Sequence, residues 1–274
     1  QANIGKADIV FGVHLPPSVY ASAPRLRWIQ SMWAGVEQLL ASPVAAGVII
    51  TKPHGVFGTS ISHYVFGHLL AWRIKLREAM QAQAECSWRP YHFDLLQGQR
   101  LGIAGMGDIG AEIARVGKSF GMEIWGMNRD GRPHPLAEKM FSTEEIKDFV
   151  SALDVLVLVM PATPTTSGIF NRSVLGQLSA HALLINVGRG ALIEDEALIE
   201  ILEQKLIGGA VLDVFQQEPL PGDHPYWRLP NCVVTPHVAG PSLPLDVTRC
   251  FLENFARFAR SEALLGQVDR SRGY

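Results

Sequence analysis

The sequence predicts an α/β protein: a doubly wound parallel sheet in the middle of the chain, with a smaller α/β region split around it. Three observations predict it. Strand-sized apolar runs alternate with helical patterns almost throughout. The runs in the middle are continuously apolar instead of alternating, as strands covered on both faces must be. A glycine-rich turn follows one of those runs and opens a helix.

Taken in order, short β-like runs occupy 7–14, 26–31 and 47–52. A helix over 61–83 follows, with Val65, Leu69, Trp72, Leu76 and Met80 recurring three or four apart on one buried face. Residues 86–97 read as irregular and aromatic. A regular βα rhythm then runs through strands at 100–105, 123–128, 155–160, 183–187, 210–214 and 232–235. Helices are expected at 108–120, 143–151, 172–178 and 194–204, and a last helix at 245–264. This map predicts one domain over 95–245 and a second made of 1–94 and 246–274.

The 274 residues are 47% hydrophobic and 18% charged, which excludes a disordered chain. A formal net charge of -2 leaves no basic excess for a phosphate backbone, so no nucleic-acid partner is expected. No apolar run approaches the ~20 residues of a membrane span. Cys86, Cys232 and Cys250 are scattered, which reads as reduced thiols in a cytoplasmic protein. His14, His54, His68, His92, His134, His181 and His224 show no ligand spacing, and His63 and His68 stand five apart, so no metal is predicted. The chain opens on Gln1 without a methionine.

Gly105-Met106-Gly107-Asp108-Ile109-Gly110 is a GxGxxG turn between strand and helix. Gly105 permits the tight turn, Gly107 admits a pyrophosphate, and Gly110 lets helix and strand pack closely. The N–H groups around Asp108 and Ile109 then face the phosphates. In an NAD site an acid about 20 residues on binds the ribose 2′-hydroxyl. Here the next strand ends at Asn128, 23 positions after Gly105, and Arg129 follows. Arg129, helped by Arg132, suits a 2′-phosphate, so NADP(H) is the expected cofactor. Asp130 is the residue that would favour NAD(H) instead.

Arg189, Glu218 and His237 each follow a predicted strand, where open parallel sheets bind their ligands. With the glycine turn, the segments Asn186-Val187-Gly188-Arg189-Gly190, 212–219 and Thr235-Pro236-His237-Val238-Ala239-Gly240 make the chain resemble the D-isomer-specific 2-hydroxyacid dehydrogenases. The resemblance runs over essentially the whole chain. It implies a Rossmann nucleotide domain inserted into a flavodoxin-like substrate domain, and a catalytic triad of Arg189, Glu218 and His237. It also implies a cofactor contact at Asp213, on the nicotinamide carboxamide, and further ones at Pro161, Thr166, Val187 and Gly188. Trp33, Ala34 and Gly35 resemble a loop whose N–H groups take the substrate carboxylate, aided by a following helix start. Trp28, within a strand, reads as core.

The residue types suit the chemistry. Hydride transfer to a 2-keto acid builds negative charge on the keto oxygen, which a cation and a proton donor must meet. Arg189 supplies a planar fork, His237 the proton, and Glu218 the carboxylate that orients the ring. The resemblance implies a small 2-keto or 2-hydroxy acid such as glyoxylate or hydroxypyruvate, and a homodimer formed through the helix at 61–83. His63 stands where relatives often carry an acid. Formate dehydrogenases of this fold typically carry glutamine at the position of Glu218, and no regulatory domain of the longer phosphoglycerate dehydrogenases is expected. A front segment of roughly 40–50 residues is expected to be absent before Gln1. The rival reading is a dinucleotide-sensing corepressor on the same fold.

Overall fold

The computed structural model describes residues 4–12 and 15–273. Gln1, His14 and the end of the run expected over 7–14 lie outside the described residues. The chain divides into two compact units, one of Gln1–Phe57 with Pro241–Tyr274 and one of Gly58–Gly240.

The first unit begins with β1 (Ile9–Gly12), α1 (Pro17–Ala21), β2 (Trp28–Ser31), α2 (Glu37–Leu40) and β3 (Ile49–Thr51). The strands pair in parallel in the order β1-β2-β3. The middle strand β2 is buried along its whole length; Trp28 and Ile29 are apolar, and the buried Gln30 Oε1 accepts from the Thr51 hydroxyl at 2.8 Å. Trp28 is core, as expected. Its indole N–H donates to Thr51 Oγ1 at 2.8 Å, the partner that a buried indole needs.

The second unit carries α3 (Gly58–Arg73), α4 (Leu76–Ala84), β4 (Arg100–Ala104), α5 (Asp108–Ser119), β5 (Glu123–Met127), β6 (Lys139–Phe141) and α6 (Ile146–Val150). It continues with β7 (Val155–Leu158), α7 (Arg172–Leu175), β8 (Leu183–Asn186), α8 (Asp195–Glu203), β9 (Gly209–Leu212) and β10 (Cys232–Val234). Its seven strands are parallel in the order β10-β9-β8-β7-β4-β5-β6. Chain order reverses between β4 and β7, the switch point at which such sheets bind ligands. Strands β7, β8 and β9 are fully buried, so their continuous apolar character follows from cover on both faces. The chain then returns to the first unit as α9 (Pro244–Ala259), where Phe251 and Phe258 stack on Trp28 at 5.4 Å.

Two elements differ from expectation. The single helix over 61–83 is two helices, broken at Lys75, whose φ is +53°. The buried face ends where Trp72 docks against the backbone of Gly209 in β9. Beyond it Leu76 and Met80 are exposed, and α4 buries none of its residues. Strand β6 was not expected. It is three residues on the sheet edge, pairing only with β5, and too short to carry a period. The division into units falls at Phe57 and Gly240, where 94 and 245 were expected. Helix α3 accounts for the larger shift: it packs on α5, with Phe66 stacked on Phe120 at 5.3 Å.

Candidate active site

The sheet order places the predicted residues in sequence along one edge. From β10 inward, the C-terminal strand ends lead to His237, to Asp213 and Glu218, to Arg189, to Pro161, to the glycine turn, and last to Asn128. Residue types scattered over more than a hundred positions therefore line the carboxyl edge of one sheet.

The glycine turn has the conformation that its chemistry requires. Gly105 sits at φ +113°, and a Cβ there would lie 2.8 Å from the Met160 nitrogen. A Cβ at Gly110 would lie 2.0 Å from the Gly105 carbonyl oxygen. Gly107 has open space where its Cβ would stand, and no side chain caps α5 there. The first N–H groups of α5 have no partner within the helix and suit a pyrophosphate. The cradle fits a dinucleotide.

Beyond β5, Asn128 frames its own loop. Its Oδ1 accepts from the backbone N–H groups of Asp130 and Arg132, and its Nδ2 donates to the Arg132 carbonyl at 3.0 Å. Arg132 Nε donates to Asp130 at 2.9 Å and holds that carboxyl below its usual range. Among the described residues the Arg129 guanidinium makes no hydrogen bond or ion pair. Arg132, expected as the helper, is exposed and paired with Asp130 in the same loop. The acid that would favour NAD(H) is engaged, and Arg129 is left for an anion.

Pro161 and Thr166 close one turn after β7. Thr166 is buried. It donates to the Pro161 carbonyl and accepts from Thr163 N–H, both at 2.8 Å, so its hydroxyl holds the turn together. Asn186, fully buried at the end of β8, accepts from Gly188 N–H and donates to the Arg189 carbonyl at 3.0 Å. It shapes the turn through Val187 and Gly188 that presents Arg189. Asn186 is a site residue that the sequence patterns leave without a role. The available signal was a polar residue ending an apolar strand immediately before that turn.

His237 Nδ1 lies 2.8 Å from Glu218 Oε2, and Glu218 Oε1 accepts from Phe215 N–H at 2.9 Å. An ionised carboxylate only accepts, so the proton is on Nδ1 and, in the neutral ring, Nε2 carries the lone pair. His237 stands at φ +54°. Its own N–H donates to the Asp213 and Thr235 carbonyls at 2.9 and 3.1 Å. Asp213, 1% exposed, points its carboxylate into this same turn: it accepts from Val238 N–H and Ala239 N–H at 2.9 Å and from the Thr235 hydroxyl at 2.5 Å. Asp213, expected at the cofactor, also holds the histidine turn. On α3, Tyr64 reaches Thr235 Oγ1 at 2.6 Å, and burial pushes its phenol up to about 12.

In the first unit, Trp33 is 43% exposed, and Ser31 Oγ accepts from its N–H at 3.0 Å. The helix start expected to assist Ala34 and Gly35 is the single turn α2, beginning at Glu37, too short to contribute much of a dipole. His63 is exposed on α3. Among the described residues no cluster of three or more His, Cys, Asp or Glu gathers for a metal, and no helix is long and apolar enough to cross a membrane.

A family model for the NAD binding domain of D-isomer specific 2-hydroxyacid dehydrogenases matches residues 66–239. The glyoxylate/hydroxypyruvate reductase A of Escherichia fergusonii is 31% identical over 267 residues, spanning 94% of this chain and 85% of that protein. A D-isomer specific 2-hydroxyacid dehydrogenase family protein from Aeromonas salmonicida superposes with a TM-score of 0.90 at 37% identity, covering 97% of this chain and 86% of that one. An NADPH-dependent glyoxylate/hydroxypyruvate reductase from Sinorhizobium meliloti, solved with NADP and sulfate, gives 0.89 at 29% identity, covering 100% and 89%.

Proposed function

The chain belongs to the D-isomer-specific 2-hydroxyacid dehydrogenase family, and from that premise we propose that it reduces glyoxylate or hydroxypyruvate to the D-2-hydroxy acid with NADPH. The observation that carries this reading is the His237–Glu218 pair on the strand edge that also bears Arg189. When bound, the reduced nicotinamide supplies the hydride. Arg189 meets the charge that develops on the keto oxygen. His237 gives that oxygen its proton from Nε2 as the imidazolium and is left as the neutral ring, with Nδ1–H still on Glu218. The N–H groups at Ala34 and Gly35 are assigned to the substrate carboxylate, while that of Trp33 is held by Ser31 Oγ. Asp213 has three of its roughly four acceptor positions filled, which leaves one for the carboxamide.

The free Arg129 and the engaged Asp130 support NADP(H) over NAD(H), in line with the NADP held by the Sinorhizobium meliloti relative. Partner and location follow the same reading. Trp88 is 95% exposed and Met80 63%, on and just after a helix that buries nothing, and we assign that surface to a second copy of the chain. Cys232 and Cys250 are buried free thiols, and burial pushes the Cys232 thiol up to about 12, which suits a reducing cytoplasm.

The test is NADPH oxidation with glyoxylate, hydroxypyruvate, pyruvate and phenylpyruvate. Turnover is expected to be fastest with the first two. It should fall by about 100-fold or more in His237→Ala with NADPH affinity retained. Arg129→Ala should raise KM for NADPH by about tenfold and leave that for NADH alone. No turnover with any acid of the panel overturns the reduction, and equal efficiency with NADH overturns the cofactor preference.

A further inference from the structure

We propose that Tyr64 and Thr235, acting through Asp213, form a hydrogen-bonded chain that positions His237, so that a tyrosine on α3 helps to set the catalytic ring. The inference rests on the reading of His237 as the proton donor.

The direction of the chain is fixed from its buried end. Asp213, as a carboxylate, only accepts, so Thr235 spends its one hydroxyl proton on Asp213 at 2.5 Å. The 2.6 Å contact between Thr235 and Tyr64 therefore has Tyr64 as donor. A phenol held up to about 12 by burial keeps that proton throughout the neutral range. Two other groups lie near the chain. His68 packs its ring against Tyr64 at 4.4 Å, and burial pushes it below its usual value, so it adds no cation there at neutral pH. Glu218 sits on the far side of His237.

The turn needs such a device. A histidine at φ +54° is in a sparsely populated region and persists where its surroundings over-determine it. Asp213 is the group that does so. It receives N–H groups from both residues after His237 and the hydroxyl two residues before it, and its own carbonyl receives the N–H of His237. Thr235 is the one side-chain donor among these, and Tyr64 orients that hydroxyl from a different element. Without the chain, the ring keeps its place in the fold but loses its fixed approach to Glu218. A misplacement of about 1 Å at a reacting group can cost on the order of 100-fold in rate.

The experiment compares Thr235→Val, Thr235→Ser and Tyr64→Phe with the parent protein. It uses ¹⁵N NMR of the ligand-free protein, which reports the share of neutral His237 rings protonated at Nδ1, together with steady-state kinetics. Thr235→Val should lower the Nδ1–H share and reduce kcat by about 10- to 100-fold, with KM for NADPH within about twofold. Thr235→Ser, which keeps the hydroxyl, should restore both. Tyr64→Phe should show the same change at about three- to tenfold in kcat. An unchanged ¹⁵N signature and kcat in Tyr64→Phe overturns the proposal. Failure of Thr235→Ser to rescue also overturns it, since packing of the methyl would then be what matters. Should Thr235→Val not fold, Tyr64→Phe and Thr235→Ser still decide. A parent protein that reduces no 2-keto acid defeats the functional reading, and the ¹⁵N comparison still decides this one.

Discussion

Gly107 and Gly110 stand three positions apart and are glycine for opposite reasons. At Gly107 the space a Cβ would fill is open, so the constraint comes from what must approach from outside. At Gly110 a Cβ would meet the Gly105 carbonyl, so the constraint comes from the fold. Gly107→Ala should therefore leave Tm within about 1 °C and weaken NADPH binding by about tenfold. Gly110→Ala should lower Tm by on the order of 5 °C. Thermal melts beside NADPH titrations check both, and a reversed pattern would remove the assignment. His68 gives a pH effect at the same scale. Burial lowers its folded value, with Asp213 pulling the other way. The unfolded chain thus takes up the proton first, near about 6.5. Stability is fully present above that pH and is lost as pH falls towards the folded value. His68→Phe, which keeps the ring against Tyr64, should lose less Tm than the parent between pH 7 and 5.5; parallel losses would show that His68 contributes nothing.

Elements were legible where one physical signal dominated. The buried strands β7, β8 and β9 announce themselves as unbroken apolar runs because helices cover both faces. The break between α3 and α4 was not legible. Leu76 and Met80 continue the period of Val65 and Leu69, but that pattern does not distinguish a core face from a face left for another molecule. Only Lys75 breaks the helix, and lysine carries no signal for the left-handed region. Since Lys75 occupies a conformation that glycine adopts without penalty, Lys75→Gly should raise stability by about 0.5–1 kcal/mol. Denaturant unfolding measures it, and a loss of stability would mean that the Lys75 side chain holds the junction. The site divides the same way. Arg189, Glu218 and His237 were legible as types in a fixed order. Tyr64, Asn186 and the inward turn of Asp213 were not, because each acts through a partner set by tertiary contacts: Thr235 lies 171 positions from Tyr64.

At the scale of the whole molecule, one stretch of chain carries a run of exposed apolar residues. Helix α4 buries no residue, Trp88 is almost wholly exposed, and Phe93 and Leu95 are exposed after it. Scattered surface hydrophobics need no explanation, but a helix and its following segment presenting Leu76, Met80, Trp88, Tyr91, Phe93 and Leu95 together offer a face for the proposed dimer. A net charge of -2 offers little repulsion between two copies. The neighbouring recess, about 290 Å³ and lined by Leu70, Ile74, Phe93, Leu96 and the buried Arg73, gives a partner's aromatic side chain a place to insert. Arg73 Nε has no partner in that wall among the described residues, so a partner's carbonyl would satisfy it. Dimerisation by this face predicts that Met80→Glu with Trp88→Glu yields a monomer, because each charge would have to be desolvated at a buried contact. Sedimentation velocity at micromolar concentration reads the outcome directly. A parent protein that sediments as a monomer, or a double variant that remains dimeric, rejects this face. Because His237 and Glu218 meet within one chain, the monomeric variant should retain measurable turnover at concentrations where it stays folded.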